Sequence, residues 1–536
     1  MAVDMEPHSL AHQDTQAKDA GLFRSTLIIT FFSSLNILAG FALQVVLAAK
    51  FGAEWEMDAY LAASTIPNLL TGVLLGSLRI TFVPVFIEYE VRQDVAEAWK
   101  VASSFLNIAS VVLGSIAVLG ALCATWWVRL TVPGFAVGTD AFKLTVELFR
   151  ILIPSVVFNG LGGLLASIYY SRHRFLLPAV APLVNSLVIL GGTAALSPKL
   201  GIRGLALSSL LGSITQLLLL IPIMLTKGRY RFIWDHKHPG VAQIVKLMVP
   251  WIAGAVIYKA NPLLDRFIAS SLLEGSISHL GYALKLTTVT VTLATAGIST
   301  TFFPLMSRYA ATRNLQGLRK TVSLGIQTIL LIVMPIMAGI VVLRVPVIRL
   351  FLQRGKFTDL DTTATGLAWV CYLGALLGLS VGNISSFVFY ALQDTRTPVL
   401  AGIAGMMVNV IVVFVLKDYF SYLAPALAYS LAVPLNISLQ LLVLRKRLRG
   451  VDGKSILVAW LKITVATLIM GGMISLFENR IDARWGIVAQ SLSTLAVVSS
   501  GVFTYALCAW LLKIKVFRYI LARVTGRAYA KFAGDI

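Results

Sequence analysis

Long apolar runs follow one another from about residue 25 to residue 513, separated only by short polar or basic stretches. Each is near the roughly 20 residues that cross the hydrocarbon of a bilayer as a helix. No water reaches that depth, so every backbone N–H and C=O must be satisfied within the segment, as an α-helix does. About fourteen such spans are legible, the longer ones tilted, bent or extending past the hydrocarbon. Composition agrees: 57% of the 536 residues are hydrophobic and 13% are charged, about half the charge of an average globular chain. A soluble enzyme is excluded. The expected fold is an all-α polytopic membrane protein.

One spacing recurs within these runs. Thr81, Phe82, Pro84 and Tyr89 return as Thr301, Phe302, Pro304 and Tyr309, and Tyr170 and Pro178 return as Tyr390 and Pro398, each 220 residues on. A shared offset at two separate sites reads as a duplication. The offset covers six apolar runs, an even number, so both copies insert in the same sense. Parallel repeats are related by an axis along the membrane normal and flank a central cavity; such halves usually belong to transporters that rock one against the other. The expected organisation is a cytoplasmic tail over 1–24 and an N-lobe of six helices over 25–226. An inter-lobe cytoplasmic linker over 227–242 follows, then a C-lobe of six helices over 243–444, related to the first by a pseudo-two-fold. Two additional helices over 445–513 and a basic cytoplasmic tail over 514–536 complete it.

The net charge of +21 does not point to nucleic acid, because the positive residues are sorted by side. With the N-terminus taken as cytoplasmic, about 26 Lys and Arg fall on that side and about 11 on the other. Clusters at Lys227–Lys237, Arg445–Arg449 and Lys513–Lys531 read as topology signals in contact with anionic membrane lipid. Both termini are therefore expected in the cytoplasm. The first 20 residues carry Asp4, Glu6, Asp14 and Asp19 and no apolar core, so they read as a soluble tail and not a signal peptide. Cys123, Cys371 and Cys508 lie in apolar runs and read as small core residues. Scattered histidines and the lack of a Walker motif give no catalytic site, no metal site and no cofactor. The membrane potential or an ion gradient is the expected driver, worth about 2.3 kcal/mol per charge per 100 mV.

Two helix starts are marked: Thr397 is expected to cap and Pro398 to open one, and Thr358 to Asp361 reads as a capping box after the turn at Arg354-Gly355. The same joints carry a resemblance. Leu350-Phe351-Leu352-Gln353-Arg354-Gly355-Lys356-Phe357-Thr358 and Phe389-Tyr390-Ala391-Leu392-Gln393-Asp394-Thr395-Arg396-Thr397-Pro398 resemble the lipid II flippase family (MurJ/MviN-like), within the multidrug/oligosaccharidyl-lipid/polysaccharide exporter superfamily. Asp265-Arg266, Glu274-Gly275-Ser276, Tyr282-Ala283, Phe51-Gly52-Ala53, Asp58-Ala59, Pro67-Asn68-Leu69-Leu70 and Phe82-Val83-Pro84 resemble its other signatures. The resemblance implies fourteen helices in two lobes in a bacterial inner membrane. It also implies alternating-access export of an undecaprenyl-diphosphate-linked cell-wall precursor, lipid II or a related polysaccharide unit. The partners implied are that lipid-linked saccharide, membrane lipids, and cell-wall or polysaccharide synthesis enzymes. The chain departs from the family pattern where Leu43-Gln44 replace an Arg-acid pair, where Thr71-Gly72 replace two basic residues, and where Leu284-Lys285 stand in place of an Arg after a polar residue.

A diphosphate headgroup needs cationic donors at membrane depth, where a charge is costly unless it faces water or a partner. Arg79 in span 2, Lys285 in span 8, and Arg266 and Lys259 in span 7 are the substrate-binding candidates. Lys259 falls about two turns before Arg266, on roughly the same helix face. Asp58, Asp265 and Glu147 are the candidates for gating or ion coupling. Glu147 shares a stripe with Lys143 and Arg150, which also reads as a helix-stabilising ladder. Asp265 and Arg266 project about 100° apart and so do not pair with each other. Two other functions compete: an ion-coupled small-molecule antiporter, which favours twelve spans and an acidic cavity, and a transport-inactive envelope scaffold.

Overall fold

The computed structural model describes residues 7–225, 230–478 and 487–524; Asp4, Glu6, Lys227, Arg229, Arg527 and Lys531 lie outside the described residues. All regular structure among those described is helical. They form two compact units, Met1–Leu47 with Ala59–Ala260, and Ala48–Asp58 with Asn261–Ile536. This division falls between Ala260 and Asn261, inside the seventh apolar run and beyond the 227–242 connector. The first unit is built from α1 (Pro7–Phe51), α2 (Trp55–Arg92), α3 (Val95–Leu122), α4 (Ala124–Thr131), α5 (Asp140–Leu152), α6 (Ser155–Ser171), α7 (Leu176–Leu200), α8 (Ile202–Leu220), α9 (Pro222–Leu225) and α10 (Pro239–Lys259). The second contains α11 (Asn261–Ala269), α12 (Ser276–Ala311), α13 (Leu315–Phe351), α14 (Asp359–Cys371), α15 (Leu373–Ala391), α16 (Arg396–Phe420), α17 (Ala424–Arg447), α18 (Gly453–Glu478), α19 (Ile487–Leu511) and α20 (Lys515–Val524). The end of α1 and the first turn of α2 belong with it.

By length and apolarity, 12 of the described helical segments qualify as membrane spans, or up to 13 with the bent pair Ser276–Ile298 and Thr301–Ala311. This measure does not by itself confirm the expected count of fourteen. One reason is that Arg396–Arg447 qualifies as a single run of 52 residues, although a 3-10 turn at Ser421–Leu423 divides it into α16 and α17. Large apolar side chains such as Leu431, Leu468 and Phe503 stand exposed, a surface suited to lipid and not to water. Cys123 is also exposed, contrary to its reading as a core residue: it ends α3 and precedes α4, at the edge of the packed interior.

The duplicated residues define the frame of each unit. Phe82 is fully buried in the first unit's core, stacked on Phe86 with 5.7 Å between ring centroids and packed on Phe105 at 5.9 Å. Around them lie Trp99, Leu164, Ile168 and Tyr169. The α6–α7 and α15–α16 joints share one backbone design. In the first, Arg174 N–H donates to Tyr169 O at 3.0 Å; in the second, Asp394 N–H donates to Phe389 O at 2.8 Å. His173 and Gln393, at the same offset, take φ of 54° and 57°. This is a helix end closed by one left-handed residue, which satisfies the last carbonyls. The following helices, α7 and α16, are 25 residues each and end on Gly201 at φ 57° and Ser421 at φ 47°.

Helix starts are made by side chains. Thr358 and Asp361 form the expected capping box on α14. At α16 the expected role of Thr397 is corrected: Asp394 is the capping group. Its carboxylate accepts from Arg396 N at 2.9 Å, Thr397 N at 3.0 Å and Thr397 Oγ1 at 2.6 Å, and Pro398 sits in the first turn without opening it. Aspartate at this place satisfies two of the orphan amides of a first turn. In the second unit α18 packs along α13, and α19 along α18.

Candidate functional site

In the second unit the most motif-dense residues tie the 48–58 segment down. Asp58, only 3% exposed, accepts from Gly275 N at 2.8 Å, from Ser278 N at 2.7 Å and from Ser278 Oγ. A carboxylate on the first turn of α2 thereby caps α12, where negative charge meets the positive end of the helix dipole. Trp55 N–H donates to Glu274 Oε1 at 3.0 Å and Tyr282 OH to Gly52 O at 3.0 Å. Lys356 N–H donates to Ala49 O at 3.0 Å, and its ammonium reaches Glu54 Oε2 at 2.6 Å. That hydrogen bond from Lys356 to Glu54 lifts the ammonium above its ordinary range. His279 Nε2 lies 3.0 Å from Asp361 Oδ1. Burial works against the charge of Asp361, but His279 and Thr358 outweigh it and hold the carboxyl below the usual range.

A second polar group lies deeper. Asp265 and Arg266 on α11 are 1% and 7% exposed, and the hydrogen bonds of each run to other residues. Asp265 Oδ2 accepts from Asn261 Nδ2 at 3.5 Å while Oδ1 has no partner. Asn261 Oδ1 accepts from Asn409 of α16, and Arg266 Nη1 donates to Ile277 O at 3.4 Å. The hydroxyl of fully buried Tyr372 is also without a partner. Such buried, incompletely satisfied groups are costly. Lys285 on α12 is exposed, with no hydrogen bond or ion pair among the described residues.

In the first unit Arg79 is exposed and its guanidinium lies 4.8 Å from the centroid of the Tyr170 ring, a cation–π contact. Lys259 donates to Gly72 O at 2.9 Å. Ala260 interrupts the helix, so Lys259 ends α10 and Arg266 lies on α11, although Pro239–Ala269 still qualifies as one span. The Asn261-Pro262 pair is the break signal that a continuous apolar run hides. The ladder expected within α5 is also replaced: Glu147 takes Arg203 of α8 at 2.6 and 2.9 Å, while Arg150 Nε donates to Ala121 O at 3.2 Å. Tyr170, Arg203, Asn261, Tyr372 and Asn409 were not legible as site residues, because their roles come from neighbours distant in sequence. No cluster of three or more metal-ligating side chains occurs among the described residues.

The profile of the family described as Lipid II flippase MurJ matches residues 47–496. The chain belongs to the MurJ family. A Vibrio cholerae protein described as a probable lipid II flippase MurJ is 28% identical over 515 residues, covering 92% of this chain and 97% of its own. The Burkholderia cenocepacia lipid II flippase MurJ is 26% identical over 516 residues, covering 94% and 99%. A solved structure described as lipid II flippase MurJ in an inward closed conformation superposes with a TM-score of 0.78 at 25% identity, over 94% of this chain and all of that one. A multidrug resistance MATE transporter of the MOP superfamily shares the fold, with a TM-score of 0.68 at 14% identity. MurJ-family membership places the chain among multi-pass membrane transporters, and not in a catalytic family.

Proposed function

We propose that this protein is a lipid II flippase of a bacterial inner membrane, moving the undecaprenyl-diphosphate-linked saccharide across the bilayer by alternating access. The observation that carries the reading is the family match over residues 47–496, with relatives similar along nearly their whole length. Arg79 in the first unit and Lys285 in the second are the proposed donors to the diphosphate. Both are exposed on their own units within membrane-spanning helices, and a cation at that depth is tolerable where it meets water or an anion. Asp265, buried with one oxygen unpartnered, is the proposed ion-coupling group. Both termini are assigned to the cytoplasm on the distribution of basic residues.

Complementation tests the reading. Expression of this chain in a strain depleted of its own lipid II flippase restores growth and cell shape. Failure to rescue, with normal amounts of folded protein in the membrane, overturns lipid II as the substrate.

A further inference from the structure

The additional helices of the second unit form a pocket of about 550 Å³. It opens where α13 and α18 begin and where α19 turns into α20. Its lining carries five basic side chains, Arg319, Lys454, Lys462, Lys513 and Lys515, against the single acid Asp452. That acid is taken by Arg319, and Lys462 donates to Leu512 O at 2.9 Å. The remaining lining is strongly positive, and the side chains of Lys454 and Lys513 are exposed.

Depth identifies the kind of anion. Gly453 opens a membrane span that continues to Glu478, and Leu511 closes another, so the mouth lies at the bilayer surface, where lipid phosphates sit. From Gly453 to Lys462 the pocket's lining residues cover about 13 Å of α18. Val458, Ala459 and Ile514 make part of its lining apolar. Beside it α20 sets Lys515, Arg518 and Arg523 among apolar residues, with Val516 buried and Ile520 and Leu521 partly exposed, the pattern of a helix lying in the interface. Cations and apolar side chains lining one pocket at the bilayer surface match a molecule that joins a phosphate head to hydrocarbon. A free phosphate would leave the apolar wall unused.

We infer that this pocket binds the anionic phosphate headgroup of a membrane glycerophospholipid, at a site separate from Arg79, Lys285 and Asp265. The rim contributes about a fivefold gain in affinity per lysine over a zwitterionic lipid. The inference does not depend on which lipid-linked saccharide is carried.

The test uses the full chain, purified in a neutral detergent and titrated with phosphatidylglycerol, phosphatidylcholine or inorganic phosphate, with bound lipid counted by native mass spectrometry. Phosphatidylglycerol is expected to be retained in preference to phosphatidylcholine. The triple variant Lys454→Gln, Lys513→Gln, Lys515→Gln should lower its affinity on the order of 100-fold with an unchanged circular dichroism spectrum. A control, Arg445→Gln, Lys446→Gln, Arg449→Gln, removes the same charge outside the pocket and keeps binding. Equal retention of the two lipids, or equal loss in both triple variants, overturns the site in favour of diffuse charge attraction. Pocket-dependent binding of inorganic phosphate as tight as that of the lipid overturns the headgroup assignment.

Discussion

Asp58 shows how a residue marked as a candidate for gating acquires a structural duty. Its two oxygens receive three donors from Gly275 and Ser278. Asp58→Ala leaves those amides without acceptors in a buried place, at a cost of about 1–3 kcal/mol. The expected result is a lower thermal midpoint in detergent, with Asp58→Asn, which retains one acceptor oxygen, falling less. An unchanged midpoint with lost transport would assign Asp58 to gating alone. Asp394 makes a pH prediction. Burial opposes its charge, but the Thr397 hydrogen bonds, Arg447 and the Arg396 amide prevail and hold the carboxyl below its usual range. A depressed carboxyl contributes stability that is fully present above its unfolded pKa, about 3.9, and is lost as pH falls through the lower folded value. The thermal midpoint should decline below about pH 4, and Asp394→Asn should lower it at neutral pH and flatten that decline.

At the scale of elements, the clasp around residues 48–58 depends on glycine. Gly355 takes φ +58°, and a Cβ there would lie 2.1 Å from the Ala49 carbonyl oxygen. Gly355→Ala therefore combines a left-handed side chain with a backbone clash, and should cost at least about 3 kcal/mol. Gly191, with nothing within 4 Å of the added carbon, is the control, and Gly191→Ala should leave stability unchanged or raise it by up to about 1 kcal/mol. Size-exclusion profiles and melting in detergent read both. Helix positions were legible because apolar length is a local signal and the 220-residue echo is read by comparing the sequence with itself. His173 and Gln393 close matching helix ends, yet share neither chemistry nor glycine, so that backbone match was hidden. The capping box at Thr358 was legible for the same local reason. The role of Asp394 was misassigned to Thr397 because aspartate two residues before a helix reads as turn as readily as cap. The break at Ala260 was masked by apolar residues on both sides, and Glu147 found its partner on another helix instead of along its own stripe.

For the whole molecule, duplication accounts for the repeated frame, and the charges account for the division of labour. Pro84 and Pro304, and the paired helix ends at Ser171 and Ala391, preserve the scaffold. The polar groups are not duplicated: Arg79 stacks on Tyr170 in one unit, while Asp265, Asn261 and Asn409 form their network in the other. Family membership explains why such a scaffold carries buried and exposed charge within spans, where each charge must serve a ligand, a partner or water. Lipid II translocation through this chain, with Arg79 and Lys285 engaging the diphosphate, is open to direct measurement. Its most direct test reconstitutes the full chain in proteoliposomes loaded with headgroup-labelled lipid II and follows, under an imposed membrane potential, the label's accessibility to an impermeant reagent. Protein-dependent translocation is expected, reduced at least about tenfold by Arg79→Ala with Lys285→Ala at equal incorporation, on the order of what losing charged hydrogen bonds to an anion costs. Translocation no faster than in protein-free vesicles, or undiminished in the double variant, would contradict it.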